Sequence, residues 1–299
     1  MKIMFVVNPI SGGVDKEPFL KSATAFCKKY GIDYHIFKTT GKNDDRNLQD
    51  VIKSYKPDRV ASCGGDGTTL FTAVNLLDSN IPMGIIPLGS ANGMAVELKV
   101  APKPMDALRD LVLSEIISGL DLILVNDEHY AMHIGDVGIN AQIVAAHAKS
   151  SKRGMGAYAK AFAEMALKAE TIHAKIKADG KEVEASGLMY AFCNAQKYGT
   201  GVPLTFDGNP MDGKFELVVL EKMDIQSLIK AGLSKFDKKF FDHSASSFHK
   251  VSEAEVWFDE PHLLQLDGEI IGEFDYIKAK VLPNAVPLVT TTDNDFIKS

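Results

Sequence analysis

The stretch Ser62-Cys63-Gly64-Gly65-Asp66-Gly67-Thr68-Thr69-Leu70 constrains this chain more than any other. Upstream, Arg59-Val60-Ala61-Ser62-Cys63 is a short run of small, mostly apolar, β-prone residues, and downstream Leu70, Phe71, Val74 and Leu77 recur at helical spacing. The glycines therefore sit where a buried strand hands over to a helix. Glycines around one carboxylate permit backbone torsions closed to other residues and let a ligand approach the main chain. Free N–H groups at a helix start, together with the helix dipole, favour a phosphate. Asp66, an anion, would repel a phosphate directly and suits a metal or its water shell. A tight strand-to-helix turn carrying a solvated Asp accounts for the same residues, because a lone Gly-Gly-Asp-Gly is a short pattern.

Two further loops have the same setting. Asn8-Pro9-Ile10-Ser11-Gly12-Gly13 follows the apolar run Ile3–Val7, and Pro87-Leu88-Gly89-Ser90-Ala91-Asn92-Gly93 follows Met83–Ile86. Each bears glycine and hydroxyl groups at the carboxyl end of a candidate buried strand, the edge along which open α/β sheets bind ligands. In this order and spacing the three loops resemble the diacylglycerol kinase catalytic family, which includes bacterial lipid kinases and sphingosine kinases. The resemblance implies an ATP- and Mg2+-dependent lipid kinase with its active site in a cleft between two domains. Asn8, Ser11, Gly12, Gly64, Gly65, Gly67, Thr68, Gly89, Ser90 and Asn92 would then serve the nucleotide, and Asp66 a magnesium ion. The sequence departs from the family at Ser90, where Thr is common, and at Gly93, where many members have Asp. The first loop carries no Lys or Arg before Lys16, so the phosphates would rest on backbone N–H groups, Ser11, Thr68 and metal.

Residues 1 to about 122 alternate strand-like and helix-like segments, which implies a parallel sheet covered on both faces. Phe19, Leu20, Ala23, Phe26, Cys27 and Tyr30 form a helical stripe closed by Gly31, and a second helix around Leu48–Tyr55 stops before Pro57. Near Leu120 the texture changes to short strands: Leu120–Val125 with Tyr130–Ile134, a hairpin at Asp179-Gly180, Leu188–Cys193, Phe215–Leu220, Val256–Phe258 and Ile277–Leu282. Helix is expected only at about 141–170 and 224–241, and Trp257 is expected in the core. The fold expected is thus a Rossmann-like, phosphofructokinase-like α/β domain over 1–123 followed by a β-rich, sandwich-like domain over 124–283. By the resemblance, Val286–Val289 returns to the first domain as an extra strand, so that 284–299 completes it.

In the second half, Leu264-Gln265-Leu266-Asp267-Gly268-Glu269 is the most specific stretch. Asp-Gly between alternating apolar residues is a hairpin turn by itself, and an Asp-Gly-Glu here also matches a family motif. Phosphoryl transfer to an alcohol needs positioning, charge neutralisation and an acceptor for the hydroxyl proton. Asp267 is the candidate base and Glu269 its metal or orienting partner. The family also holds a metal just before the strand that follows an Asp-Gly such as Asp212-Gly213. Asp212 would be its carboxylate ligand, with Asp207 nearby, although Asn209–Gly213 reads equally as a plain turn. His133 and Asp136 fall in a glycine-rich stretch that lines the family's cleft, where a buried structural His is the alternative.

A net charge of −6 and a pI near 5.8 argue against a nucleic-acid partner. Cys27, Cys63 and Cys193 are widely spaced and read as buried thiols in a reducing compartment. No window reaches the length of a membrane span, and the first apolar run breaks at Asn8-Pro9, too soon for a signal peptide. A cytoplasmic protein with at most peripheral membrane contact is expected. Lys235-Phe236-Asp237-Lys238-Lys239-Phe240-Phe241 has the basic-aromatic pattern of an interfacial helix, with an inward-packed amphipathic helix as the alternative. A soluble-metabolite kinase such as an NAD kinase, which also carries Gly-Gly-Asp-Gly, and a non-catalytic nucleotide-binding module are the competing functions.

Overall fold

A computed structural model describes residues 1–147, 169–197, 204–205, 207–220 and 246–298. The interfacial helix expected at Lys235–Phe241 lies outside them, as do most of the helices expected at 141–170 and 224–241. The chain divides into two compact units: Met1–Leu122 with Pro283–Ser299, and Ile123–Leu282.

In the first unit, strands β1 (Lys2–Val7), β2 (Asp33–Lys38), β3 (Arg59–Gly64) and β4 (Met83–Pro87) alternate with helices α1 (Glu17–Lys29), α2 (Asp44–Tyr55), α3 (Asp66–Asn75), α4 (Gly93–Glu97) and α5 (Pro104–Leu113). The strands pair in parallel in the order β2-β1-β3-β4. Ile3 to Val7 are wholly buried, as an unbroken apolar run must be when helices cover both faces of a sheet. Phe19, Leu20, Ala23 and Cys27 of α1 and Ala107, Leu108 and Leu111 of α5 pack into the same core. The order in which strands are added reverses at β1: β2 lies on one side of it and β3 on the other. The β1/β3 boundary is therefore the topological switch point, where open sheets form their ligand crevice. Leu288, near the end of the last long strand, pairs in parallel with Met83 of β4.

The second unit is antiparallel. The end of β5 (Ile117–Val125) turns through Asn126-Asp127, both at positive φ, into β6 (His129–Ala131). The strand expected over Tyr130–Ile134 breaks at Met132-His133, because those two amides turn away to Asp267. Then come β7 (Ile134–Gly138), α6 (Ile139–His147), β8 (Ile172–Ala178), β9 (Lys181–Gly187), β10 (Met189–Cys193), β11 (Phe215–Leu220), β12 (Ser246–Val251), β13 (Glu253–Leu266) and β14 (Glu269–Val289). One face runs β12-β11-β10-β7, and β7 pairs with Leu264–Leu266 of β13. Earlier in β13, Ala254–Phe258 pair instead with β8, which pairs with β9. The register shift between Trp257 and His262 lets this one strand serve both groups. Side chains of both groups share one core, among them Tyr190, Phe192, Phe215, Ile176, Val256 and Ile277. Trp257 is a correction: it is half-buried and stacks on Tyr276 at 5.3 Å, on the face opposite Val256 and Phe258, since neighbours in a strand point to opposite sides.

Candidate active site

In the first unit the three glycine loops end β1, β3 and β4 and touch through their backbones. A Cβ on Gly12 would lie 2.9 Å from the Cα and carbonyl carbon of Gly89 and from the amide of Ser90. A Cβ on Gly89 would lie 2.3 Å from the Cα of Gly65. No larger residue fits where main chain meets main chain this closely, and Gly12 also stands at φ +65°. The loops hold themselves in shape. Asn92, at φ +53°, clasps Gly89 from both sides: its Oδ1 accepts the Gly89 N–H at 2.8 Å and its Nδ2 donates to the Gly89 carbonyl at 3.0 Å. Ser11 Oγ donates to the Asn8 carbonyl at 3.1 Å, Asn8 Oδ1 accepts the Ile10 N–H, and Ser90 Oγ donates to the Gly12 carbonyl at 3.3 Å.

Lys16 underpins the first loop. Its ammonium donates to the carbonyls of Ser11 and Val14, and the side chain is 3% exposed. Burial lowers its pKa, only partly opposed by Asp15. The nearest cation to the first loop is thus folded under it as a strut.

Gly65 caps α3, whose first N–H groups have no intrahelical partner. A Cβ on Gly67, in that first turn, would meet nothing within 4 Å, so the first turn of α3 is open at the side Gly67 presents. Thr68 beside it is buried; its hydroxyl packs against Gly64 and has no hydrogen-bond partner among the described residues. Asp66, half-buried, accepts the Gly93 N–H at 2.8 Å and the Met94 N–H at 2.9 Å, one on each carboxylate oxygen. It caps α4 and ties the second loop to the third. Among the described residues no group of three or more His, Cys, Asp or Glu side chains converges as a metal cluster.

In the second unit, Asp267 and Gly268 form the two-residue turn between β13 and β14, at φ +48° and +88°. The positive φ at both positions is what a type I′ turn demands. The Asp267 carboxylate does more than close that turn: it accepts the amides of Met132 at 2.7 Å, His133 at 2.9 Å and Ile134 at 3.0 Å. Behind it, buried Gln265 accepts the Gly268 N–H at 2.7 Å through Oε1 and donates through Nε2 to Asp136, which also accepts from Asn140 at 2.5 Å. Glu269 is exposed at the start of β14. Gln265 and Asn140 were not singled out from the sequence, and Lys16 was noted only as the first cation after the loop; Gln265 points to the face opposite the core residues Leu264 and Leu266, so the alternation of β13 carried no signal for it.

Asp212 lies elsewhere in this unit. Its Oδ2 is 2.6 Å from Lys250 Nζ and its Oδ1 accepts the Lys214 N–H at 3.1 Å. Glu216, 3% exposed, lies across from Lys250 in the β11–β12 register, with Oε1 3.5 Å from Nζ. Burial pushes the Glu216 carboxyl up to about 7, with Lys250 opposing. For Lys250, burial lowers its affinity for the proton, but Asp212 and Glu216 outweigh burial and raise the pKa overall. Asp207 is exposed and reaches Lys250 only through its carbonyl, at 3.5 Å.

Residues 2–125 match the diacylglycerol kinase catalytic domain, and residues 135–290 match the YegS C-terminal NAD kinase beta sandwich-like domain. A "Probable lipid kinase YegS-like" of Yersinia enterocolitica is 24% identical over 276 residues, covering 89% of this chain and 90% of its own. A diacylglycerol kinase of Bacillus subtilis is 23% identical over 274 residues, covering 89% of both. Among solved structures, a diacylglycerol kinase from Bacillus anthracis superposes with a TM-score of 0.74 at 19% identity over 98% of both chains. An NAD kinase from Archaeoglobus fulgidus, solved with ATP, superposes at 0.56 and 16% identity over 98% of this chain and 95% of its own. Both structural likenesses speak to fold. With its α/β unit matched by the one domain and its β sandwich-like unit by the other, the chain belongs to the diacylglycerol kinase catalytic-domain family in its YegS-type, two-domain form.

Proposed function

We propose that this protein transfers the γ-phosphate of ATP to the hydroxyl of a diacylglycerol-like lipid presented at a membrane surface. The observation that carries the reading is the meeting of three glycine loops at the β1/β3 switch point, with open space at Gly67 in the first turn of α3. In it the phosphates lie against the α3 amides and the backbone of the Gly12 loop, where donors and dipole favour an anion without a local cation. Asn92 and Lys16 act on the loops rather than on the nucleotide: one clasps the third loop, the other props the first.

Asp66 fits magnesium as a single carboxylate beside phosphates, the usual arrangement for this ion. Each of its oxygens spends one acceptor position on an amide and a carboxylate has about four, so water of the metal's shell can still be bound. Bound there, magnesium would neutralise phosphate charge. In the second unit, Asp267 receives the proton of the lipid hydroxyl, with Glu269 as its partner. The three amides on the Asp267 carboxylate and the Gln265–Asp136 pair behind the turn hold it in one orientation. Among the described residues no helix is long and apolar enough to cross a membrane; the reading has the lipid met at the membrane surface.

The test is transfer of labelled γ-phosphate to lipids dispersed in mixed micelles, with magnesium, by wild-type protein and by Asp66→Asn. Labelled phospholipid product from the wild type and none from the variant supports the reading. ATP hydrolysed at equal rates with and without lipid, and no lipid labelled, would overturn it.

A further inference from the structure

The family resemblance puts a divalent cation beside Asp212, and the residues present do not fit one. Both oxygens of Asp212 are engaged, one by the Lys250 ammonium at 2.6 Å and one by the Lys214 amide at 3.1 Å. Glu216 is buried, and neither of its oxygens takes a hydrogen bond from a described residue; the Lys250 ammonium at 3.5 Å is its countercharge. Strand register places the Lys250 backbone directly opposite Glu216 in the antiparallel β11–β12 pairing, and its ammonium reaches both carboxylates from there. A divalent ion bound by Asp212 and Glu216 would sit against the Lys250 ammonium, 2.6 Å from one carboxylate and 3.5 Å from the other, and like charges repel. What separates this corner from Asp66, whose oxygens take only neutral amides, is that one donor here is a full positive charge, which a divalent ion on the same carboxylates would oppose.

We propose that the Lys250 ammonium is a built-in cation that occupies the metal's place between Asp212 and Glu216, so that this corner of the β-rich unit is neutralised without a divalent ion. A buried carboxylate in the apolar strand Phe215–Leu220 is costly as an unpaired anion, and where Glu216 ionises the neighbouring strand supplies the countercharge. The inference concerns how the β-rich unit is held together and stands whatever acceptor the enzyme uses.

Thermal unfolding of the full-length protein, without nucleotide, in EDTA and in millimolar Mg2+ or Ca2+, tests it. The wild type should unfold at the same temperature in all three. Lys250→Met should unfold roughly 5 °C lower in EDTA and regain much of that loss with Mg2+ or Ca2+. Adding Asp212→Asn should abolish the rescue. A wild type that loses stability in EDTA and regains it with metal, in a manner lost on Asp212→Asn alone, would overturn the proposal. So would a Lys250→Met protein with wild-type stability and no metal response. Should Lys250→Met fail to fold, the comparison of wild type with Asp212→Asn decides: a metal response specific to Asp212 refutes the built-in cation, and none supports it.

Discussion

Gly67→Ala and Gly89→Ala should move stability in opposite directions while both impair the use of ATP. A methyl on Gly67 meets no heavy atom within 4 Å, and the residue lies in the first turn of α3. Ala in place of Gly in a helix should therefore stabilise by roughly 0.5–1 kcal/mol. The same methyl enters the space assigned to phosphate, so the KM for ATP should rise. At Gly89 the methyl would stand 2.3 Å from the Gly65 Cα and 2.8 Å from its amide nitrogen. Carbon atoms rest about 3.5–4.0 Å apart, and main chain has no rotamer through which to escape, so one loop must move by about 1 Å. Overpacking of this kind costs typically about 1–3 kcal/mol. A displacement of about 1 Å in a positioning element lowers turnover on the order of 100-fold. Thermal unfolding and steady-state kinetics with ATP varied at fixed lipid read both quantities. An unchanged KM in Gly67→Ala would remove the phosphate from α3. An unchanged Tm and turnover in Gly89→Ala would refute the three-loop junction as the device that shapes the site.

Asp66→Asn should abolish turnover and also lower Tm, because its amide nitrogen would face the Gly93 or Met94 N–H, a lost cap of about 1–2 kcal/mol; near wild-type turnover at saturating magnesium would count against it. Asp267→Asn should cut turnover about 100- to 10,000-fold and destabilise by about 1–3 kcal/mol, since an amide cannot accept all three N–H groups. If Tm falls and turnover holds, Asp267 is a turn residue alone. Burial pushes Glu216 up to about 7, so the folded chain retains a proton that the unfolded chain has already released below that pH. The stability tied to that proton is whole in the acid range and is lost as pH rises through about 7. Glu216→Gln should accordingly flatten the fall in unfolding free energy between about pH 5 and about pH 8, and parallel curves for the two proteins would contradict it.

The α/β half was legible because its signals are local. Ile3–Val7 and Met83–Ile86 can hardly be other than buried strands, and the glycines that end them mark where backbone meets backbone. What the glycine loops do to one another was not legible. Asp66 finds its partners at Gly93 and Met94, and that pairing exists only once α4 starts beneath the third loop. In the β-rich half, Asp267-Gly268 advertised a turn through its chemistry, but the three amides that meet its carboxylate lie more than a hundred residues away. The cation for Asp212 was hidden for the same reason: Lys250 is distant in sequence and is brought opposite Glu216 by strand register alone. Trp257 misled because a large aromatic weighs towards the core, whereas the phase of β13 set by Val256 and Phe258 turns it outward.

The measurement that bears most directly on the central claim is a competition in one vessel. Purified protein, magnesium and γ-labelled ATP are offered vesicles containing diacylglycerol together with NAD, and the products are separated by thin-layer chromatography. The account predicts label in the lipid phase as a phosphomonoester, absent with Asp66→Asn, and none on NAD. Label on NAD with an unlabelled lipid phase would contradict it.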